Sequence, residues 1–249
     1  MIQLHYYPST ASMVPHILLE ELAVPYERVL VDRAQDVQKT MAYLKLNPNG
    51  LIPVLTDGDI SVFESGAIVQ YLTEREGRLA PAVGTRERAA YLGWVSFAET
   101  QANILQNLNF HHIFLRPVEA RSKPMTVLDT KRLIVTMRAL EAALADGRDY
   151  LLASGFSAAD CMMGFNIEAI FRFVAAEEYP HLAAYRAPDV AGFDNALVRE
   201  FPNITNVDLS TTLAQVQRVL DQVIRAVEFL FGFTLAAGLV VLFAAVTAT

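Results

Sequence analysis

The segment "NPNGLIPVLTDGDISVFESGAIVQYL", residues 47–72, decides the fold. Its first four residues combine proline, asparagine and glycine, which is a strong turn signal. Two short β-branched runs then flank Asp57-Gly58, a pair typical of a tight hairpin turn. From Ser65 to Arg75 the apolar residues recur at helical spacing. We therefore predict a turn, a β-hairpin and a helix in direct succession.

The residues before this segment extend the pattern into a mixed domain. Residues 2–6 alternate as a strand does, and Ser12–Leu22 has apolar residues at helical spacing. Tyr26–Val31 is rich in aromatic and β-branched residues and is predicted to be a second strand. Residues 35–46 are predicted to be a helix. The order β-α-β-α-β-β-α indicates a mixed sheet with helices on its faces.

The residues after the segment 47–72 have a different pattern of secondary-structure signals. A linker, "EGRLAPAVGT", is rich in glycine and proline. Three helical patterns follow it, over residues 86–114, 125–145 and 158–176, and strand signals disappear. A small α/β domain followed by an all-helical domain is the simplest interpretation.

Composition excludes several functional classes. The chain has 249 residues, a formal net charge of −7 and a single cysteine, Cys161. The negative charge argues against a general nucleic-acid binder, which would carry a basic face. One cysteine allows no intrachain disulfide, which fits a reducing compartment. Cys161 lies on an apolar helix and is predicted to be a buried small residue.

Ile52-Pro53 is the first candidate site. Proline cannot donate a ladder hydrogen bond, so it belongs at the end or the edge of a strand. A cis bond here would turn the backbone sharply and leave the N–H and C=O of Ile52 free to pair with an extended peptide. An ordinary trans proline entering a strand is the alternative that the residues leave open.

Glu64-Ser65 is the second candidate site. Ser65 stands at the predicted start of a helix, where its hydroxyl can cap free N–H groups. The same helix terminus has open donors for a carboxylate, and Glu64 can accept an ammonium group. Together they would hold both charges of an α-amino acid. A purely capping role for Ser65 is the alternative.

Four segments together resemble the glutathione S-transferase family. They are "YYPSTASMVPHILLEE", "NPNGLIPVL", "ESGAIVQYL" and "LLASGFSAADCMMGFNI", and the resemblance covers residues 1–187. It implies an α+β fold with a thioredoxin-like glutathione-binding domain at 1–78 and an all-α acceptor-substrate domain at 86–187. It also implies a homodimer and a cytoplasmic location for this part of the chain.

The resemblance also implies residue roles, with glutathione as co-substrate and no metal. Pro53 would be cis, Ile52 would pair with the cysteinyl part of glutathione, and Glu64 and Ser65 would hold the γ-glutamyl end. The family reaction is attack of the glutathione thiolate on a hydrophobic electrophile. "SAAD", residues 157–160, matches a capping box that serves folding.

The hydroxyl that stabilises the thiolate has three candidates. In the serine-type pattern it follows the first strand, so Ser9 ranks first, Ser12 second and Thr10 third. The position of the bacterial family cysteine falls on Ala11, which has no thiol, so a cysteine mechanism is not expected. Helix capping by Ser9 and Ser12 is the alternative.

The C-terminal tail is residues 188–249, and from about residue 190 to 249 it resembles FtsX-like permease subunits of ABC exporters. An amphipathic helix is predicted to lead into 229–249, a transmembrane-like helix without charge. Its 21 residues would span ~30 Å, about one hydrocarbon core. A membrane anchor, a chimera and a buried helix remain open as explanations. A non-catalytic glutathione-binding or chimeric protein, whose tail is a permease fragment without transport activity, is the alternative to the enzyme.

Overall fold

The computed structural model describes residues 1–186. The predictions made for residues 187–249, including the amphipathic helix, the apolar stretch 229–249 and the permease resemblance, lie outside the described residues. Within the part that the structure describes, no helix is both long and apolar enough to cross a membrane.

A four-stranded mixed sheet forms the first half of the chain. Its strands are β1 (Ile2–Tyr6), β2 (Tyr26–Leu30), β3 (Val54–Asp57) and β4 (Ile60–Phe63), in the spatial order β2-β1-β3-β4. β1 is parallel to β2 and antiparallel to β3, and β3 and β4 form the hairpin. The mixed, thioredoxin-like sheet predicted from the sequence is confirmed.

Two helices cover the sheet, α1 (Met13–Glu21) and α3 (Ser65–Glu76). Each has a fully buried apolar stripe, and burying one leucine or isoleucine stabilises the fold by about 1.5–3 kcal/mol. The residues of these stripes are Val14, Leu18, Leu19, Ile68, Val69 and Leu72.

The prediction of a single helix over residues 35–46 is wrong. The chain forms one short 3-10 turn on each side of Asp36 and then a four-residue helix, α2 (Met41–Leu44). Asp36 has φ +54°, a left-handed conformation that a continuing helix cannot accommodate. Thr40 is extended and its hydroxyl accepts a hydrogen bond from the Tyr43 N–H, so it begins the new helix.

The second half is helical. It contains α4 (Arg86–Asn109), a π-helical turn (Phe110–Phe114), α5 (Lys123–Ala143), α6 (Ala158–Ile170) and α7 (Pro180–Arg186). The three helices predicted here form: the first continues to Phe114 through the π-helical turn, and the other two end earlier than predicted. The capping box predicted at the start of α6 is also confirmed. One hydrophobic core runs from β1, α1 and α3 into α4 and α6.

Candidate functional site

Three chain segments lie next to each other at one end of the sheet. The strand register places His5 of β1 beside Val54 of β3, and Val54 beside Phe63 of β4. The chain therefore leaves β1, enters β3 and leaves β4 at neighbouring points. Every residue proposed from the sequence for the site lies in one of these three segments.

A loop rich in hydroxyl groups follows β1. The Ser12 hydroxyl is buried, donates to the Tyr7 carbonyl at 2.8 Å and accepts from the Tyr7 N–H at 3.2 Å. The Thr10 hydroxyl donates to the same carbonyl at 2.7 Å and lies 2.9 Å from the Ser12 hydroxyl oxygen. Neither hydroxyl caps α1, because both close this loop onto the end of β1.

Ser9 differs from the other two hydroxyl residues. It is exposed, has φ +57° and, among residues 1–186, its hydroxyl has no hydrogen-bond partner. A positive φ at a residue other than glycine is uncommon and is frequent at functional sites. Of the three hydroxyl groups ranked from the sequence, the one at Ser9 is available to an incoming group.

The second segment precedes β3. The Ile52–Pro53 peptide bond is cis. Within the described residues, neither the N–H nor the C=O of Ile52 has a hydrogen-bond partner. The preceding carbonyl, that of Leu51, accepts from the Tyr43 hydroxyl at 2.8 Å and from the Asn47 side-chain amide at 2.9 Å. The backbone before β3 is thus fixed on one side and open on the other.

The third segment is the N-terminus of α3. Glu64, not Ser65, is the N-cap residue, and it has φ +70°. Ser65 is the first helical residue; its side chain is buried and makes no capping bond, so the purely capping role that the sequence left open as the alternative is not found. The Gly66 N–H donates to Glu99 Oε1 of α4 at 2.8 Å. In residues 1–186 the N–H groups of Ser65 and Ala67 have no partner.

The charges around this helix terminus have opposite signs. Exposed N–H groups give an α-helix a partial positive charge at its N-terminus. Burial and the nearby charge of Glu64 raise the pKa of Glu99, and its bond from the Gly66 N–H lowers it in part. The terminus can accept a carboxylate, and the two glutamates beside it favour a cation. This arrangement suits the zwitterionic end of an α-amino acid.

Other side chains with reactive or metal-binding groups lie elsewhere, and Cys161 is buried as predicted. Burial raises the pKa of the Cys161 thiol far above the ordinary value, so it is no nucleophile. His111 accepts a hydrogen bond from the Ser122 N–H, and the His112 ring packs edge-on against Phe173. No group of three His, Cys, Asp or Glu side chains able to hold a metal occurs within residues 1–186.

The sequence reasoning missed three residues that contact these segments. Tyr43 and Asn47 hold the Leu51 carbonyl, and Glu99 holds the Gly66 N–H. An asparagine in a turn commonly bonds to the backbone nearby, so Asn47 was open to prediction from its motif. The apolar spacing of residues 35–46 predicts a longer helix around Tyr43, and no local signal links Glu99 to a residue 33 positions earlier.

Comparisons with known proteins identify the family. A family model described as glutathione S-transferase, N-terminal domain, matches residues 1–74, and one described as glutathione S-transferase, C-terminal domain, matches residues 130–187. The chain belongs to the glutathione S-transferase family.

Relatives and a solved structure give the range of similarity. The chain is 30% identical over 164 residues to the disulfide-bond oxidoreductase YfcG of Escherichia coli, covering 61% of this chain and 75% of YfcG. It is 32% identical over 177 residues to elongation factor 1-gamma 1 of Oryza sativa, covering 66% of this chain and 41% of that protein. A glutathione transferase from Burkholderia graminis, with two glutathione molecules per subunit, superposes with a TM-score of 0.70 at 28% identity, over 76% of this chain and 83% of that one.

Proposed function

We propose that this protein is a glutathione transferase that conjugates the glutathione thiolate to electrophilic small molecules. One observation carries the proposal: the open backbone of Ile52, the open helix terminus at Ser65 and the free Ser9 hydroxyl all lie at the same end of the sheet. A tripeptide with a zwitterionic end and a central thiol has one group for each feature: a backbone for Ile52, a zwitterionic end for the helix terminus and a thiol for Ser9. Glutathione in the Burkholderia graminis structure supports the choice of ligand.

Each segment would take one part of the ligand. The backbone N–H and C=O of Ile52 would pair with the cysteinyl residue, as one strand pairs with another. Ser65 would donate its N–H and hydroxyl to the γ-glutamyl carboxylate. Glu64 would accept the ammonium group. Pro53, next to Ile52, is buried and shapes the entry to β3.

Ser9 is the proposed source of thiolate stabilisation. The thiolate is the reactive form of glutathione, and a hydroxyl that donates to it lowers the pKa of the thiol. The hydroxyl groups of Ser12 and Thr10 already donate to the Tyr7 carbonyl, which leaves Ser9 as the donor without a competing bond. Attack on an electrophile held beside the sulfur would then follow by proximity.

The electrophile is proposed to be apolar. The end of α4 and the π-helical turn after it present exposed aromatic side chains, Phe110 and Phe114, whose rings pack edge-on. The family resemblance implies an acceptor pocket late in this helix. A homodimer, common in the family, is part of the same proposal.

Disulfide exchange is a second candidate, because YfcG is named a disulfide-bond oxidoreductase. The glutathione thiolate would attack one sulfur of a small disulfide, form a mixed disulfide and release the other sulfur as a thiolate. A second glutathione thiolate would then attack the mixed disulfide, which yields glutathione disulfide and a second thiol. The chain has one cysteine and it is buried, so all reacting thiols would come from glutathione.

The test compares Ser9→Ala with Ser12→Ala, and uses Ser96→Ala, at an exposed position of α4, as the control. Calorimetry measures glutathione binding, ultraviolet absorbance measures the thiol pKa, and parallel assays use an aryl halide and a small disulfide. We expect Ser9→Ala to raise the thiol pKa and to lower kcat/KM about 10²-fold.

The outcomes separate the alternatives. Activity that survives both Ser9→Ala and Ser12→Ala refutes the serine mechanism. If only the disulfide is turned over, disulfide exchange replaces conjugation as the proposed reaction. Binding without turnover of either substrate favours the non-catalytic glutathione-binding protein, and absence of binding rejects the enzyme.

A further inference from the structure

The carbonyl of Leu51, in the segment before β3, accepts hydrogen bonds from two buried side chains. Tyr43 of α2 is 4% exposed and Asn47 is 1% exposed. Their hydroxyl and side-chain amide reach the same oxygen at 2.8 and 2.9 Å. The Leu51 side chain, in contrast, is exposed and packs little. The backbone of this residue, not its side chain, is therefore what the fold fixes.

This carbonyl belongs to the same peptide group as the N–H of Ile52. A peptide group is planar, so fixing the direction of its C=O also fixes the direction of its N–H. A carbonyl that accepts hydrogen bonds also polarises the peptide group and makes its N–H a stronger donor. The two bonds at Leu51 therefore set both the orientation and the donor strength of the Ile52 N–H.

The turn that carries Asn47 is itself closed. The Asn47 side-chain oxygen accepts from the Asn49 N–H at 3.0 Å, and its main-chain carbonyl accepts from the Gly50 N–H at 3.0 Å. Gly50 has φ +62°, and a Cβ there would lie 2.9 Å from the Gln38 carbonyl oxygen. Glycine is therefore required at this position. The amide of Asn47 has a defined direction before any ligand arrives.

Tyr43 is equally constrained. Its ring packs with Val31 and Val54 in a small cluster that Ile52 also contacts, and the edge of the His5 ring approaches it with centroids 6.2 Å apart. Burial raises the pKa of the Tyr43 hydroxyl to about 12. The hydroxyl accordingly remains a donor at every pH at which the protein would work.

We propose that Tyr43 and Asn47 are positioning residues that orient the Ile52 peptide group to receive the cysteinyl backbone of a glutathionyl ligand. This inference rests on the proposed function. It assigns to these two side chains a share of ligand affinity although neither is required to touch the ligand. Preorganisation of a binding edge increases affinity because less freedom is lost on binding.

The test uses Tyr43→Phe, Asn47→Ala and the double variant in the full-length chain. Tyr71→Phe is the matched control, because it also removes a bonded hydroxyl from the first half of the chain, where it donates to Asp57 at 2.9 Å. Loss of one hydrogen bond to Leu51 is expected to raise the Kd for glutathione about fivefold, and loss of both about 20-fold. KM for glutathione should rise in parallel, while kcat changes by less than about twofold.

A second measurement reports the mechanism directly. In the ligand-free protein, Tyr43→Phe should shift the Ile52 amide resonance and leave those of Ser65 and Gly66 unchanged. Kd values equal to wild type in folded variants would overturn the inference, and so would a fall in thermal stability with no change in affinity. If the wild-type chain binds no glutathione, the proposed function fails first and the inference fails with it.

Discussion

Replacing Asp160 by Asn should remove a large fraction of the stability of the fold. The carboxylate is buried at the start of α6 and accepts four hydrogen bonds. Its Oδ1 accepts from the Leu151 N–H at 2.9 Å and from the Tyr185 hydroxyl at 2.8 Å. Its Oδ2 accepts from the N–H and the hydroxyl of Ser157, both at 2.8 Å.

The magnitude follows from this geometry. Asparagine keeps one of the two oxygens, so its NH₂ group faces two former donors whichever way the amide is turned. A hydrogen bond to a charged group contributes about 1.5–3 kcal/mol, so two lost bonds cost about 3–6 kcal/mol. That is a fifth or more of the roughly 5–15 kcal/mol by which typical domains are stable.

Urea unfolding followed by circular dichroism measures this loss. Asp149→Asn, a change in an exposed loop shortly before α6, is the matched control and should lie within about 0.5 kcal/mol of wild type. A loss of less than about 1 kcal/mol for Asp160→Asn would refute the conclusion that this carboxylate ties α6 to the preceding loop and to α7.

Two further predictions concern pH. Partial burial raises the pKa of Glu141, but hydrogen bonds from the backbone and ring of His181 lower it more, to below its ordinary 4.5. Glu141→Gln should therefore lower the free energy of unfolding, measured in urea, by about 1–2 kcal/mol at pH 7. This difference should shrink as the pH falls below 4.5, where the wild-type carboxylate becomes protonated. Burial raises the pKa of Glu99 above 4.5, so ionisation of this carboxyl group destabilises the folded state. The wild-type protein should therefore lose stability relative to Glu99→Gln as the pH rises from 4.5. A stability difference that does not change with pH would contradict this prediction.

Elements with local signals were predictable from the sequence. The hairpin around Asp57-Gly58 forms because the turn residues and the flanking strands agree. The capping box of α6 forms because Ser157 and Asp160 satisfy each other three residues apart. Both features depend only on residues that are close together in the sequence, so the sequence is sufficient to predict them.

Features that depend on distant residues were not predictable in the same way. Residues 35–46 have helical apolar spacing, yet Asp36 adopts a left-handed conformation and Thr40 begins a separate helix. Tyr43 then donates to the Leu51 carbonyl while its ring packs with Val31 and Val54, and the spacing of the apolar residues indicates neither contact. The bond between Glu99 and Gly66 joins the two halves of the chain and has no local signature.

The candidate site separates residues that would touch the ligand from residues that hold them in place. The Ser9 hydroxyl and the backbone groups of Ile52 have no hydrogen-bond partner within residues 1–186, whereas Tyr43 and Asn47 are buried and hold the Leu51 carbonyl. Under the proposed function Ser9 donates to the glutathione thiolate, so a change at Ser9 should alter the thiol pKa and kcat. A change at Tyr43 acts on ground-state and transition-state binding alike, so it should alter KM for glutathione and leave kcat nearly constant. The two groups of residues are therefore distinguishable by steady-state kinetics, even though they lie at the same end of one sheet.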